Sequence, residues 1–108
     1  MEVRTEAELA RVLAKEKRVA ALFYATWCPF CRAFLPVFRA AELEGWSRLE
    51  VVIDEDDNPL WEKYSINIVP TVLFFENGKI SLRLDGRAGR GLSGEELEAT
   101  IEKLKGKA

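Results

Sequence analysis

Residues 19–31 read VAALFYATWCPFC, and this stretch decides the fold. Its opening part, Val19 to Tyr24, is a continuous apolar run bounded by charged residues. Such a run predicts a strand that is covered on both faces in a parallel or mixed sheet. Cys28 and Cys31 follow directly, with two residues between them. The sequence therefore places two thiols where a buried strand gives way to the next element.

The segment after the cysteines has the apolar period of a helix, carried by Phe34, Val37, Phe38 and Ala41. This pattern predicts a helix from Cys28 to about Glu44, with Gly45 as its stop. Pro36 lies inside this helix and is expected to kink it, because proline lacks an N–H and its ring clashes with the preceding turn.

The remaining elements are predicted from caps, apolar runs and turn residues. A capping box at Thr5–Glu8 predicts a first helix to about Lys15, after a short edge strand in Met1–Arg4, and a second box at Ser93–Glu96 opens a last helix. Strands are expected at Leu49–Ile53, Thr71–Phe75 and Ile80–Leu84, the last two joined by the hairpin signal Asn77-Gly78. A short helix should run from Pro59 to Tyr64, after the acidic run Asp54–Asp57, which we interpret as a solvated loop.

This order of elements predicts an α/β fold. A parallel pair of strands joined by right-handed crossovers and extended by an antiparallel hairpin gives a central mixed sheet of four to five strands, with helices on both faces. Residues 1–108 are short enough to form a single domain.

Composition excludes several classes of function. The formal charge is −2 with both signs interspersed, and there is no basic stripe of the kind that binds nucleic acid. No apolar run is long enough to span a membrane, so we expect a cytoplasmic protein, most simply a monomer. The chain has two cysteines and no histidine, which argues against Ser-His or Cys-His catalysis and against most zinc sites. No bound metal is expected.

The spacing of the cysteines suits reversible disulfide chemistry. A helix start supplies unpaired N–H groups and a positive dipole end that stabilise a thiolate at Cys28. Cys28 is therefore predicted to attack a partner's disulfide, and Cys31, more shielded, to resolve the mixed disulfide. Pro29, in the first helical turn, fixes the backbone between them.

These residues resemble the thioredoxin family from Val19 to Lys105. Ala25-Thr26-Trp27-Cys28 is similar to the family's sequence before its reactive cysteine, and Pro36 to its helix-kinking proline. Val69-Pro70-Thr71 resembles the cis-proline signature, Phe75-Glu76-Asn77-Gly78 the hairpin, and Gly86 the glycine after the last strand.

The resemblance implies a thioredoxin fold and an enzyme that reduces or exchanges protein disulfides. It implies a cis bond before Pro70 that faces the cysteines, a Val69 backbone that can pair with an extended substrate, and Trp27 as a flat platform. No cofactor would be bound beyond the redox-active disulfide. Electrons would come from a separate donor, either a thioredoxin-reductase-like protein or a small thiol.

Three features depart from the family pattern. Leu22 replaces the buried aspartate that the family places six residues before its nucleophile. Pro29-Phe30 is closer to the Pro-Tyr of glutaredoxins than to the Gly-Pro of thioredoxins. The segment Arg87–Gly91, here called the basic loop, looks longer than the family's, and Arg87 or Arg90 could stabilise the thiolate or select acidic partners. Arg32, after the motif, is a further candidate for such tuning.

Other hypotheses remain open at the level of sequence. The cysteines could be inert core residues, or could hold zinc or an iron-sulfur cluster shared between two chains. A glutaredoxin-like enzyme using glutathione is favoured by Pro29-Phe30. A binding or chaperone-like module could keep the fold and use its Pro70 groove without turnover.

Overall fold

The computed structural model describes residues 1–106, which form five strands and four helices. In chain order they are β1 (Glu2–Val3), α1 (Glu6–Lys15), β2 (Arg18–Tyr24), α2 (Pro29–Ala40), β3 (Ser47–Val52), α3 (Pro59–Lys63), β4 (Thr71–Glu76), β5 (Lys79–Leu84) and α4 (Gly94–Lys105).

The five strands form one mixed sheet in the order β1-β3-β2-β4-β5. The central strand β2 pairs in parallel with β3 and antiparallel with β4, and β4 continues into the antiparallel β5. Every residue from Val19 to Tyr24 is at most 5% exposed. Since successive side chains of a strand point to opposite faces, both faces of β2 are covered. The predicted fold class is confirmed.

Both predicted capping boxes are present. The Thr5 side chain accepts the backbone N–H of Glu8 and the Glu8 carboxylate accepts the N–H of Thr5, and Ser93 and Glu96 repeat the arrangement on α4. These reciprocal bonds fix where α1 and α4 begin, since they satisfy donors that a helix start leaves unpaired.

The predicted end of the second helix is wrong. Helix α2 stops at Ala40 and not near Glu44, with Ala41 as its C-cap in an extended conformation. Arg48 of β3 explains the early stop: its guanidinium donates to the carbonyl oxygens of Phe38, at 3.1 Å, and of Ala41. The last carbonyls are thus satisfied from a neighbouring strand, and another helical turn is not needed to pair them.

None of the helices within residues 1–106 combines the length and the apolar character needed to cross a membrane.

Candidate functional site

The two cysteines lie at the start of α2, at the end of the sheet where β2 finishes. Cys28 is the N-cap of the helix and Pro29 occupies its first turn. The backbone N–H of Cys31 donates to Cys28 Sγ at 3.2 Å. Both residues are free thiols, with Cys28 6% exposed and Cys31 fully buried. Cys28 is thus nearly buried, yet it is the more accessible of the pair.

The segment before β4 faces Cys28. The Val69-Pro70 peptide bond is cis, and the Cys28 thiol donates to the Val69 carbonyl oxygen at 3.7 Å. Gly86 packs against Pro70 so closely that a Cβ there would overlap the Pro70 carbonyl oxygen. The N–H of Gly86 also donates to Thr71 Oγ1 at 3.2 Å. Val69, Pro70 and Gly86, widely separated in sequence from the cysteines, therefore meet beside the dithiol.

The thiol of Cys31 is strongly biased toward its protonated form. Burial, reinforced by its contact with the Cys28 side chain, raises the pKa of Cys31 to about 12. A hydrogen bond with the backbone of Ala25 and the charge of Arg32 act in the opposite direction and are outweighed. Leu22, where the family resemblance leads us to look for a carboxylate, is completely buried and apolar.

The acidic run is not merely a solvated loop, and that interpretation is corrected at its first residue. The Asp54 carboxylate accepts the N–H of Thr26 at 2.7 Å and the Thr26 hydroxyl at 2.6 Å. Its backbone carbonyl accepts the indole N–H of Trp27 at 2.9 Å. Asp54 thus orients the turn before Cys28 and holds Trp27, which stays 56% exposed. The signal available in the sequence was a carboxylate directly after a buried strand.

The basic loop lies against the motif through Phe30. Gly91 is buried, and a Cβ on it would lie 2.7 Å from the Cβ of Phe30. The loop closes on itself, since the Arg87 N–H donates to the Gly91 carbonyl at 3.2 Å and the Gly91 N–H donates back at 2.9 Å. Phe30 nevertheless remains 43% exposed. The structure therefore places the loop beside the motif.

The three arginines proposed for tuning have different surroundings. Arg32 donates to the carbonyl of Thr26 at 3.1 Å, and so braces the turn before Cys28. Arg87 pairs with Glu96 on α4 at 3.8 Å, which argues against a role as a thiolate partner. Within residues 1–106 the side chain of Arg90 has no ion-pair partner.

Among residues 1–106, no group of three or more Cys, Asp or Glu side chains is placed to hold a metal ion. The pair of cysteines alone would supply too few ligands for a closed zinc site.

A five-stranded mixed sheet, a Cys-X-X-Cys pair at a helix start and a cis-proline facing it define a thiol-disulfide oxidoreductase of the thioredoxin fold. Comparison with known proteins gives the family. The family model described as Thioredoxin matches residues 1–103, and the chain belongs to the thioredoxin family. It is a protein-disulfide reductase of that family.

The chain is 35% identical over 81 residues to a thioredoxin of Mycoplasmoides gallisepticum, which covers 73% of this chain and 80% of that protein. It is 29% identical over 106 residues to the bifunctional thioredoxin reductase/thioredoxin of Mycobacterium leprae, covering 96% of this chain but only 23% of that longer protein. Among solved structures, a point-mutant thioredoxin from Halobacterium salinarum superposes with a TM-score of 0.77 at 28% identity, over 95% of this chain and 88% of the other.

Proposed function

We propose that Cys28 is the attacking sulfur and Cys31 the resolving sulfur in the reduction of protein disulfides. The observation that carries the assignment is the asymmetry of the pair. Cys28 keeps some solvent access and accepts the N–H of Cys31, whereas Cys31 is fully buried with a raised pKa. A buried, protonated thiol is a poor first nucleophile, because the thiolate is the reactive form.

The reaction has two exchange steps. The Cys28 thiolate attacks one sulfur of the partner's disulfide, and the other partner sulfur leaves as a thiolate that takes up a proton. Cys31 then loses its proton and attacks Cys28 Sγ, which releases the first partner sulfur. The partner gains two electrons and the enzyme ends with a Cys28-Cys31 disulfide.

The second step depends on removing the proton from Cys31. Burial disfavours its thiolate, and Leu22 supplies no carboxylate. We propose that water or the departing partner thiolate takes this proton. The charge of Arg32 assists, since it acts against burial on Cys31.

The substrate is proposed to lie as an extended segment across the backbone of Val69, flanked by exposed aromatic rings. Trp27, held by Asp54, would form one wall and Phe30 the other. Pro70 and Gly86 pack together beneath this segment. An extended chain that pairs with backbone groups is recognised with little dependence on its sequence, which suits a reductase of many partners.

Arg32 and Arg90 are proposed to tune the electrostatics of the site, whereas Arg87, paired with Glu96, is proposed to act by holding the basic loop in place. Pro29 and Phe30 between the cysteines are proposed to set a redox poise nearer to that of glutaredoxins.

Thioredoxins act through their cysteine pair and need no cofactor, and family members work with a thioredoxin reductase. For this chain we propose the same kind of donor, supported by the relative that carries both activities in one protein, with a small thiol as the alternative. We further propose that residues 1–108 work as one monomeric domain in a reducing compartment such as the cytoplasm, where dithiols stay reduced.

The test uses two variants and one protein-disulfide substrate. Cys31→Ser should accumulate a mixed disulfide with the substrate through Cys28, and Cys28→Ser should form none. A mixed disulfide through Cys31 in Cys28→Ser would reverse the assignment. Turnover with glutathione alone would favour the glutaredoxin-like alternative, and wild-type protein that binds partners without reducing them would favour a chaperone-like module.

A further inference from the structure

We propose that the basic loop is a rigid specificity element which places Arg90 beside the dithiol and favours disulfides flanked by acidic residues. The inference rests on the proposed function and names a substrate class for the same site. It concerns partner choice and is separate from any effect of the arginines on the thiolate.

The loop is held in place at several points. Its ends are joined by the two backbone hydrogen bonds between Arg87 and Gly91. The Arg87 side chain pairs with Glu96 on α4, and the next residue after the loop, Leu92, packs against the core. A loop fixed by its backbone, by an ion pair and by an apolar anchor loses little further entropy when it binds a partner.

The loop contacts the motif at Gly91. This residue has φ +69°, a conformation that favours glycine, and a side chain there would collide with Phe30. Phe30 lies between the two cysteines in the sequence, so the loop contacts a residue of the motif itself. The residue before Gly91 is Arg90, which is exposed. Arg90 therefore lies at the rim of the substrate site, on the side of Phe30.

Two other arginines on this side of the chain are paired. Arg83 pairs with Asp85 at 2.8 Å, and Arg87 pairs with Glu96. Arg90 has no such partner within the described residues. An unpaired guanidinium on a fixed backbone matches a carboxylate with good geometry and at low entropic cost.

The turn on the side of Trp27 carries charges of both signs. The exposed residues Glu55, Asp56 and Asp57 follow Asp54, and the exposed Arg32 donates to the Thr26 carbonyl in the same turn. The basic loop instead adds a single cation, Arg90, which is unpaired among residues 1–106, on the side of Phe30. Acidic residues are therefore favoured at the Phe30 end of a bound substrate.

The experiment compares three peptides of equal length that carry the same disulfide. They differ only in whether the residues beside the disulfide are acidic, neutral or basic. The measured quantity is the ratio of kcat/KM for the acidic peptide to that for the neutral one. Because a rim ion pair is weak and screened by salt, we expect wild-type protein to prefer the acidic peptide about two- to fivefold at low salt and to lose most of this preference at high salt.

Arg90→Ala should abolish the preference. Lys79→Ala is the matched control, since it removes the same charge from an exposed site next to the Asn77-Gly78 turn, at the far end of the β4-β5 hairpin from Pro70. It should leave the ratio unchanged. An equal loss in both variants would show that only net charge matters and would overturn the proposal, as would an unchanged ratio in Arg90→Ala.

A second pair of variants tests the contact with Phe30. Gly89 and Gly91 both have positive φ, at +75° and +69°, but a Cβ on Gly89 meets nothing within 4 Å. Gly91→Ala should displace the loop and reduce the acidic preference, whereas Gly89→Ala carries the same backbone strain without the collision. An equal reduction in both would refute a role for the Phe30 contact.

The peptide assay distinguishes failure of the proposed function from failure of the proposed role of the loop. Wild-type protein that reduces none of the three peptides would remove the proposed function itself. Wild-type protein that reduces all three at equal rates would leave that function standing and remove only the role of the loop.

Discussion

The backbone N–H of Cys31 donates a hydrogen bond to Cys28 Sγ across 3.2 Å, while the same sulfur donates its own proton toward the Val69 carbonyl across 3.7 Å. These two contacts respond in opposite ways to the charge of Cys28. A thiolate strengthens the bond from Cys31, because a charged acceptor binds an N–H more tightly, and has no proton for Val69. Ionisation of Cys28 would therefore free the Val69 carbonyl, which we propose pairs with a bound chain.

Leu22→Asp should exchange stability for a faster second step. The residue is fully buried, and a carboxyl group there should lower the free energy of unfolding by roughly 2–4 kcal/mol. It would also supply a base for Cys31, so release of the partner from the mixed disulfide should speed up, as measured by stopped-flow.

Leu22→Asn is the control for polarity without a titratable group. It should be destabilised similarly and show no faster release. Equal release rates in wild-type protein and Leu22→Asp would contradict the hypothesis that the missing carboxylate slows the second step.

Stability of the reduced protein should fall as the pH rises. The folded pKa of Cys31 is raised to about 12 by burial, while an unfolded thiol has a pKa of about 8.5. Between these values the unfolded chain binds fewer protons, so the free energy of unfolding decreases with pH. The contribution is fully present below about pH 8 and is lost progressively toward pH 12. Urea unfolding under reducing conditions at several pH values measures this.

Cys31→Ala should show a shallower decline over the same range. The raised pKa values of Tyr24 and Tyr64 act in the same direction at higher pH, and they are common to both proteins. Identical pH slopes would mean that Cys31 does not titrate as described.

Asp54→Ala should loosen the turn that presents Cys28. The N–H and hydroxyl of Thr26 lose their acceptor, which should cost about 1–3 kcal/mol of stability. The kcat/KM for protein disulfides should fall severalfold because the Trp27 wall is less well held. Asp56→Ala, an exposed neighbour of equal charge, should change stability by no more than about 0.5 kcal/mol. Similar effects of the two substitutions would argue against a positioning role for Asp54.

Gly86→Ala should destabilise the protein and impair turnover together. The new Cβ would overlap the Pro70 carbonyl oxygen and approach Ile68 Cγ2 to 3.3 Å, a steric cost of roughly 1–3 kcal/mol. Thermal unfolding and kcat/KM measure the two effects. Gly106→Ala, whose Cβ would meet nothing nearer than 3.6 Å, should be close to neutral. Wild-type behaviour of Gly86→Ala would show that the Pro70 segment moves freely.

Prediction from sequence succeeded where the signal is local. The capping boxes at Thr5 and Ser93 involve residues three apart, and the Asn77-Gly78 turn joins adjacent strands. It failed at the end of α2, because the carbonyls there are paired by Arg48 from another strand. Apolar period alone cannot register such a distant donor.

The sequence by itself determined the strands, the helix starts and the pair of thiols, since each follows from apolar period, turn residues or spacing within one short segment. Only the tertiary structure decided that Asp54 holds Thr26, that Gly91 contacts Phe30, and that Arg87 is paired while Arg90, among the described residues, is not. These contacts join residues far apart in the chain. Their geometry depends on how strands and loops meet after folding, and no local pattern encodes it.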